Sequence, residues 1–159
     1  MVEVTIAPAD TGDAENLLAL QKAAYQSEAH LYQDWSIPPL TQTLSALVEE
    51  FSVAVVLKAI CADLIVGSVR ATIAAGVCHI GRLIVHPDFQ RNGIGTRFLS
   101  AIEAQFPAAA KYELFTGSLS DANIRLYQRH GYAVQREQAL SPTVTLVFME
   151  KEARPGIWA

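Results

Sequence analysis

The sequence has little that would carry metal or redox chemistry. Its two cysteines, Cys61 and Cys78, and its four histidines are spread along the chain. Neither cysteine stands at metal-ligand spacing or in a secretory context, so both read as small reduced core residues and no metal site is expected. Long apolar runs are missing too: none approaches the roughly 20 residues that span a bilayer, so no membrane association is expected. The opening Met1-Val2-Glu3-Val4-Thr5 lacks the basic and apolar stretches of a secretory signal, and the expected compartment is the cytoplasm. Basic clusters are lacking as well. The 12 Lys and Arg residues are scattered and the formal net charge is −4, which argues against nucleic acid as a partner, because phosphate backbones demand a concentrated basic face. The acidic balance mildly favours a cationic acceptor such as a protonated amine.

What is present is a chain rich enough in apolar residues for one sizeable core: 51% of its 159 residues are hydrophobic. Val2 to Ala7 is alternating and β-branched and reads as a strand ended by Pro8. Asp10 or Thr11 can cap a helix to about Ala29, with Leu17, Leu20, Ala24 and Leu31 at near-helical spacing. Asp34 to Pro39 breaks regular structure, since the second proline restricts the first. A short helix from Thr41 to about Glu50 follows. Ser52–Ile60, Ile65–Ala74 and Val77–Val85 are β-rich runs joined by tight turns, an antiparallel meander. A helix over Gly93–Phe106, a buried strand over Tyr112–Phe115 and a helix over Ala122–His130 with Gly131 as its stop come next. Strands over Tyr132–Leu140 and Thr143–Glu150 complete the domain. The order is β-α-α-β-β-β-α-β-α-β-β: one α/β domain over residues 1–150, with 151–159 as a loosely attached tail.

The strongest chemical signal is Leu83-Ile84-Val85-His86-Pro87-Asp88-Phe89-Gln90-Arg91-Asn92-Gly93-Ile94-Gly95-Thr96, a Gly-punctuated turn between an apolar strand and an amphipathic helix. A helix start leaves several N–H groups without partners and carries partial positive charge, which suits a pyrophosphate. Gly93 and Gly95 would let the backbone approach phosphate oxygens closely, and Arg91 and Arg97 can add side-chain charge. Competing nucleotide motifs fit less well. A Walker A loop needs a Gly-Lys pair, which this chain lacks, and a dinucleotide fingerprint would follow the first strand of a βαβ unit rather than a meander.

Gln90-Arg91-Asn92-Gly93-Ile94-Gly95 resembles the Gln/Arg-x-x-Gly-x-Gly/Ala signature of the GNAT N-acetyltransferase superfamily. Arg82 to Phe89 resembles its lead-in, and Asn123-Ile124-Arg125-Leu126-Tyr127 with His130-Gly131-Tyr132 resembles its last helix and exit. The resemblance implies a mixed sheet of about six to seven strands that splay around acetyl-CoA, the acyl-donor cosubstrate. Gln90 and the backbone of Arg91, Asn92, Gly93, Ile94, Gly95 and Thr96 would then hold the pyrophosphate, and Leu83, Ile84 and Val85 would pair with the pantetheine arm. A main-chain N–H there would face the thioester oxygen. Asn123 matches a position contacting the cofactor. Tyr127, four residues on and on the same helical face, matches one that often donates a proton to the departing thiolate; its role is expected to be helpful rather than indispensable. An aromatic that simply anchors the last helix is the alternative.

On the acceptor side, a lysine-like amine of pKa about 10.4 costs about 4.6 kcal/mol to deprotonate at pH 7, so a base or a water chain is expected. Many relatives carry a strand glutamate where this chain has Gly81. The remaining candidates are Glu28, otherwise a solvent-exposed helical acid; His79, otherwise a hydrogen-bonded strand histidine; and His86, otherwise part of the turn before Pro87. Tyr32 to Leu40 is either a pocket rim or a hydrophobic cap. The expected reaction is direct acetyl transfer to a small-molecule or peptide amine in a ternary complex, with a homodimer implied by the resemblance alone. A catalytically silent acyl-CoA-binding sensor is the competing reading, and a general nucleotide-phosphate binder a weaker one.

Overall fold

The computed structural model describes residues 3–153. Seven strands, β1 (Thr5–Pro8), β2 (Val55–Cys61), β3 (Leu64–Ala74), β4 (Val77–Val85), β5 (Lys111–Gly117), β6 (Ala133–Ala139) and β7 (Thr145–Glu152), form one sheet of order β1-β2-β3-β4-β5-β7-β6. The helices are α1 (Ala14–Ala24), α2 (Gln26–Tyr32), α3 (Pro38–Thr41), α4 (Leu44–Glu50), α5 (Ile94–Ala104) and α6 (Asp121–Arg129). None of them is long and apolar enough to cross a membrane. The expected element order holds through the meander, α5, β5, α6 and the last two strands, and β4 has the expected bounds.

The apolar stripe of α5, Ile94, Phe98, Leu99 and Ile102, is buried against Val66, Val69, Ala71, Cys78, Ile80, Leu114 and Met149 of the sheet. α6 packs on the same face through Ile124, Leu126 and Tyr127. The opposite face is covered by α1 and α4, where Ala14, Leu17 and Leu47 close over Val56. The sheet is thus sandwiched between two helical layers, which satisfies both of its apolar faces.

The helix expected from residue 11 to 29 is broken at Tyr25, and its second half runs on to Tyr32. The break lets each half bury a different set of side chains. α1 seats Leu17 over β2, while α2 turns Ala29 and Tyr32 into a separate cluster with Ile37 and Val144. Leu31, expected in the buried stripe, is left on the outer side at 46% exposure. The helix expected from Thr41 is two helices: α3 opens with Pro38 and Pro39 in its first turn, where proline costs no hydrogen bond. α4 starts after Thr43, whose hydroxyl accepts from the Ala46 amide at 3.1 Å. Lys151 and Glu152, expected in the tail, continue β7, and Lys151 Nζ donates to Glu103 Oε1 at 2.8 Å. The rest of that tail from residue 154, and Val2 of the first expected strand, lie outside the described residues.

Two irregularities position the site. β4 and β5 are parallel neighbours, yet they pair only through Val77, Cys78 and His79 against Lys111, Tyr112 and Glu113. Beyond His79 they separate, and a parallel pair that stops bonding opens a cleft. The second lies between β3 and β4. Ser68 pairs with Ile84 and Arg70 with Gly81, so β4 carries one extra residue there, and Arg82 takes a left-handed φ of 49°. Such a bulge re-aims a side chain without losing the register on either side.

Candidate active site

The cleft holds a cavity of about 650 Å³. One end is walled by Leu83, Ile84, Val85, Gln90, Arg91, Gly93, Ile94, Gly95 and Thr96, the other by Tyr25, Glu28, Tyr32, Pro39, Gly81 and Arg82, and Asn123 and Tyr127 also line it. The structure therefore gathers nearly all the residues expected at the site, across four separate stretches of chain.

At the first end, the loop is shaped by Arg91 at φ 67° and Gly93 at φ 73°. The first helical bond of α5 runs from Arg97 N–H to Gly93 C=O at 3.1 Å. The amides of Ile94, Gly95 and Thr96 therefore have no partner within the helix, and they carry the positive end of its dipole. A Cβ on Gly93 would meet nothing within 4 Å, so the glycine is there for its backbone angle and for the open space above it. Gly95 serves packing: a Cβ there would lie 3.0 Å from Leu126 Cδ2. Asn92 does not line the cavity; its Nδ2 donates to Phe89 O at 3.0 Å and Gln90 O at 3.2 Å and holds the turn. Arg97 is spent elsewhere, donating to Val4 O at 2.8 Å. Arg129 on α6, which no sequence motif singled out, joins Arg91 on the wall.

At the junction, Asn123 Nδ2 donates to Thr116 Oγ1 at 3.2 Å, so β5 holds the amide of α6 in place. Tyr127 is buried, and its removal from water, with Tyr25 and Glu28 nearby, pushes its phenol well above the ordinary tyrosine range.

At the second end, Glu28 belongs to a hydrogen-bonded chain. The Leu119 amide donates to Tyr32 Oη at 2.9 Å. Tyr32 Oη is 2.7 Å from Ser120 Oγ, and Ser120 Oγ donates to Glu28 Oε2 at 2.6 Å. Because Ser120 gives its proton to Glu28, Tyr32 must give its own to Ser120, and every hydroxyl has a settled direction. Glu28 Oε1 has no hydrogen-bond partner among the described residues. Tyr32 fits only because Gly117 has no side chain: a Cβ there would overlap the Tyr32 hydroxyl and ring.

His79 lies outside this cavity. It sits where β4 and β5 still pair, half-exposed, with Nδ1 3.4 Å from Glu113 Oε1. His86 is likewise a turn residue, its Nδ1 accepting from the Asp88 amide at 3.1 Å. Cys78 is fully buried and burial lifts its thiol to about 11, so it stays protonated. Among the described residues no three His, Cys, Asp or Glu side chains converge as a metal site would require.

Sequence reasoning had no hold on Ser120, Gly117 or Arg82 as site residues. For Arg82 a signal does exist. Buried Cys78 and Ile80 alternate in one phase and the partly buried Leu83 and Val85 in the other, a slip that marks an extra residue, but the equally apolar Ile84 hides it.

The family described as an acetyltransferase (GNAT) domain matches residues 49–134, more than half of the chain. Among solved structures, the PaiA N-acetyltransferase of Thermoplasma acidophilum in complex with coenzyme A superposes with a TM-score of 0.77 at 16% identity, covering 95% of this chain and 99% of that one. The acetyltransferase YncA of Salmonella typhimurium, described as putative and solved with acetyl-CoA, has a TM-score of 0.74 at 18% identity over 98% and 99%. The ribosomal-protein-S18-alanine N-acetyltransferase of Escherichia coli has 0.78 at 15% identity over 98% and 97%. These likenesses are of fold. No curated protein sequence matches the chain.

Proposed function

The chain belongs to the GNAT acetyltransferase family, and on that footing we propose that it binds acetyl-CoA and transfers the acetyl group directly to an amine. The observation that carries this reading is the meeting, in one cavity, of partnerless amides at the start of α5 with Leu83–Val85, Tyr127 and Glu28. A nucleotide site alone would have no use for the second half of that list.

The residues fit acetyl-CoA. The amides of Ile94, Gly95 and Thr96 and the charges of Arg91 and Arg129 suit a pyrophosphate. β4 loses β5 as a neighbour beyond His79, which leaves the backbone of Leu83 to Val85 free to pair with an amide-bearing arm like an added strand. The bound thioester supplies an activated acetyl group and a thiol leaving group. On this reading Glu28 holds the incoming ammonium and takes its proton, standing in for the strand carboxylate absent at Gly81. Tyr127 keeps its own proton at neutral pH. Even at reference values, complete transfer from a phenol to a thiolate of pKa about 8.5 is uphill by about 2 kcal/mol, and burial makes it steeper. Tyr127 therefore acts on the departing sulfur by hydrogen-bond donation rather than by giving up its proton. Positioning and fixed dipoles supply most of the rate.

Calorimetric titration of acetyl-CoA, with thiol release followed across an amine panel, tests the reading. Amine-dependent release is expected. Tyr127→Phe should lower turnover about 10–100-fold while acetyl-CoA affinity holds. Gly81 is the one feature that favours a silent acyl-CoA sensor. That reading would win if acetyl-CoA bound tightly, no amine drew thiol release and Tyr127→Phe changed nothing.

A further inference from the structure

Arg82 is a charge on the cavity wall without a counter-charge. Its Nε is buried and makes no hydrogen bond. Among the described residues no carboxylate reaches ion-pair distance of its guanidinium. The contrast is with Arg70 beside it, which feels the charge of Arg82 but is provided with partners of its own. Arg70 donates to Gln21 Oε1 at 3.0 Å and Gln42 Oε1 at 3.3 Å and stands 3.5 Å from Glu50 Oε2. A partly buried cation that faces another cation and lacks an anion is costly, and the fold went out of its way to put it there. In an unbroken strand residue 82 would share the α5 face with Ile80. The extra residue in β4 returns Leu83 and Val85 to that face and leaves Arg82 directed at Tyr25 across the cavity wall. Room lies next to it: Gly81, paired with Arg70 and so on the same side of the sheet, has nothing within 4 Å of where a Cβ would stand.

We propose that the acceptor is a small amino carboxylic acid, with Arg82 receiving its carboxylate and Glu28 its amine. The proposal rests on the acetyl-transfer reading and narrows its substrate. Glu28 and Arg82 both line the cavity and both charges act on Tyr25 between them, yet they do not pair with each other, so the wall around Tyr25 presents one negative and one positive group. A zwitterion with its charges a few bonds apart satisfies both, whereas a simple alkylamine leaves the guanidinium as it is. A planar guanidinium forks onto a carboxylate with two parallel bonds, which selects geometry as well as charge. The cavity must also accommodate the pantetheine arm, and that holds the acceptor to a small molecule.

The test uses the whole chain saturated with CoA. Matched pairs are titrated calorimetrically: alanine against ethylamine, phenylalanine against phenethylamine, methionine against 3-(methylthio)propylamine, with the amino-acid amides as neutral-headed controls. Thiol release from acetyl-CoA is measured on the same panel. In at least one pair the carboxylate member should be preferred about 10–100-fold over both its amine and its amide, the range set by a charge-assisted pair. R82M should reduce that preference to under about 3-fold, R82K should keep part of it, and CoA affinity should hold in both. The proposal is overturned if the carboxylate members bind no better than their partners, if none of them binds, or if R82M weakens CoA binding and leaves the preference intact. A chain that fails to bind acetyl-CoA before any amine is added refutes the transfer reading itself, a result distinguishable from all of these.

Discussion

Replacing Gly117 by alanine should be the most damaging one-carbon change in this protein. The new Cβ would occupy the position of the Tyr32 hydroxyl and ring edge, on a β5 backbone held by its pairing with Leu146. Tyr32 is 7% exposed and has to leave. A buried tyrosine covers about 150–250 Å² worth about 4–6 kcal/mol, and swinging the ring partly out forfeits about half of that. The amide of Leu119 and the hydroxyl of Ser120 lose their partner at about 0.5 kcal/mol each. Alanine returns about 0.5 kcal/mol by stiffening the unfolded chain. The expected loss is about 3 kcal/mol. Urea unfolding at constant m-value measures it, and for a chain of this size the midpoint temperature should drop by about 6–12 °C. Tyr32→Ala should cost about 3–4 kcal/mol by itself, yet adding Gly117→Ala on top should cost nothing, because the atom it collides with is gone. A coupling of about 3 kcal/mol between the two sites is thus the signature. Gly117→Ala within about 0.5 kcal/mol of the parent, or two losses that simply add, would refute the packing argument.

The loop makes a second prediction. Gly93 sits at φ 73° in open space, so valine there should destabilise by about 1–2 kcal/mol through backbone strain and weaken CoA binding as the amides turn away, whereas asparagine, which tolerates this conformation, should retain most of both by calorimetry. Alkaline stability supplies a third. The Cys78 thiol ionises near 9.0 in the unfolded chain and only at about 11 in the folded one. Between those pH values the unfolded state binds fewer protons, and stability falls as pH rises, by about 2–3 kcal/mol in all. Cys78→Ala should remove about one proton from the slope of unfolding free energy over pH 9–11, whatever it does to absolute stability.

Much of the fold is carried by local pattern. Alternation over β2 to β4, the stripe Ile94, Phe98, Leu99, Ile102 and the stop at Gly131 are properties of neighbouring residues, and each element formed close to its expected place. The loop before α5 is legible for the same reason: partnerless amides at a helix start and a left-handed glycine are consequences of a dozen consecutive residues. The break at Tyr25 was not, because it answers to two different clusters that α1 and α2 meet only in the folded chain. The end of the cavity around Glu28 depends on tertiary structure still more. Glu28 becomes a site residue through Ser120, 92 positions away, and Tyr32 through the missing side chain of Gly117. His79, on the right strand, falls outside the cleft because the parallel pairing of β4 with β5 persists as far as His79 and ends there. Arg82 faces the cavity because one extra residue in β4 turns it there. Sequence periodicity determines which side of a strand or helix is apolar; which polar groups end up facing one another is decided only when register, strand separation and helix docking are settled together.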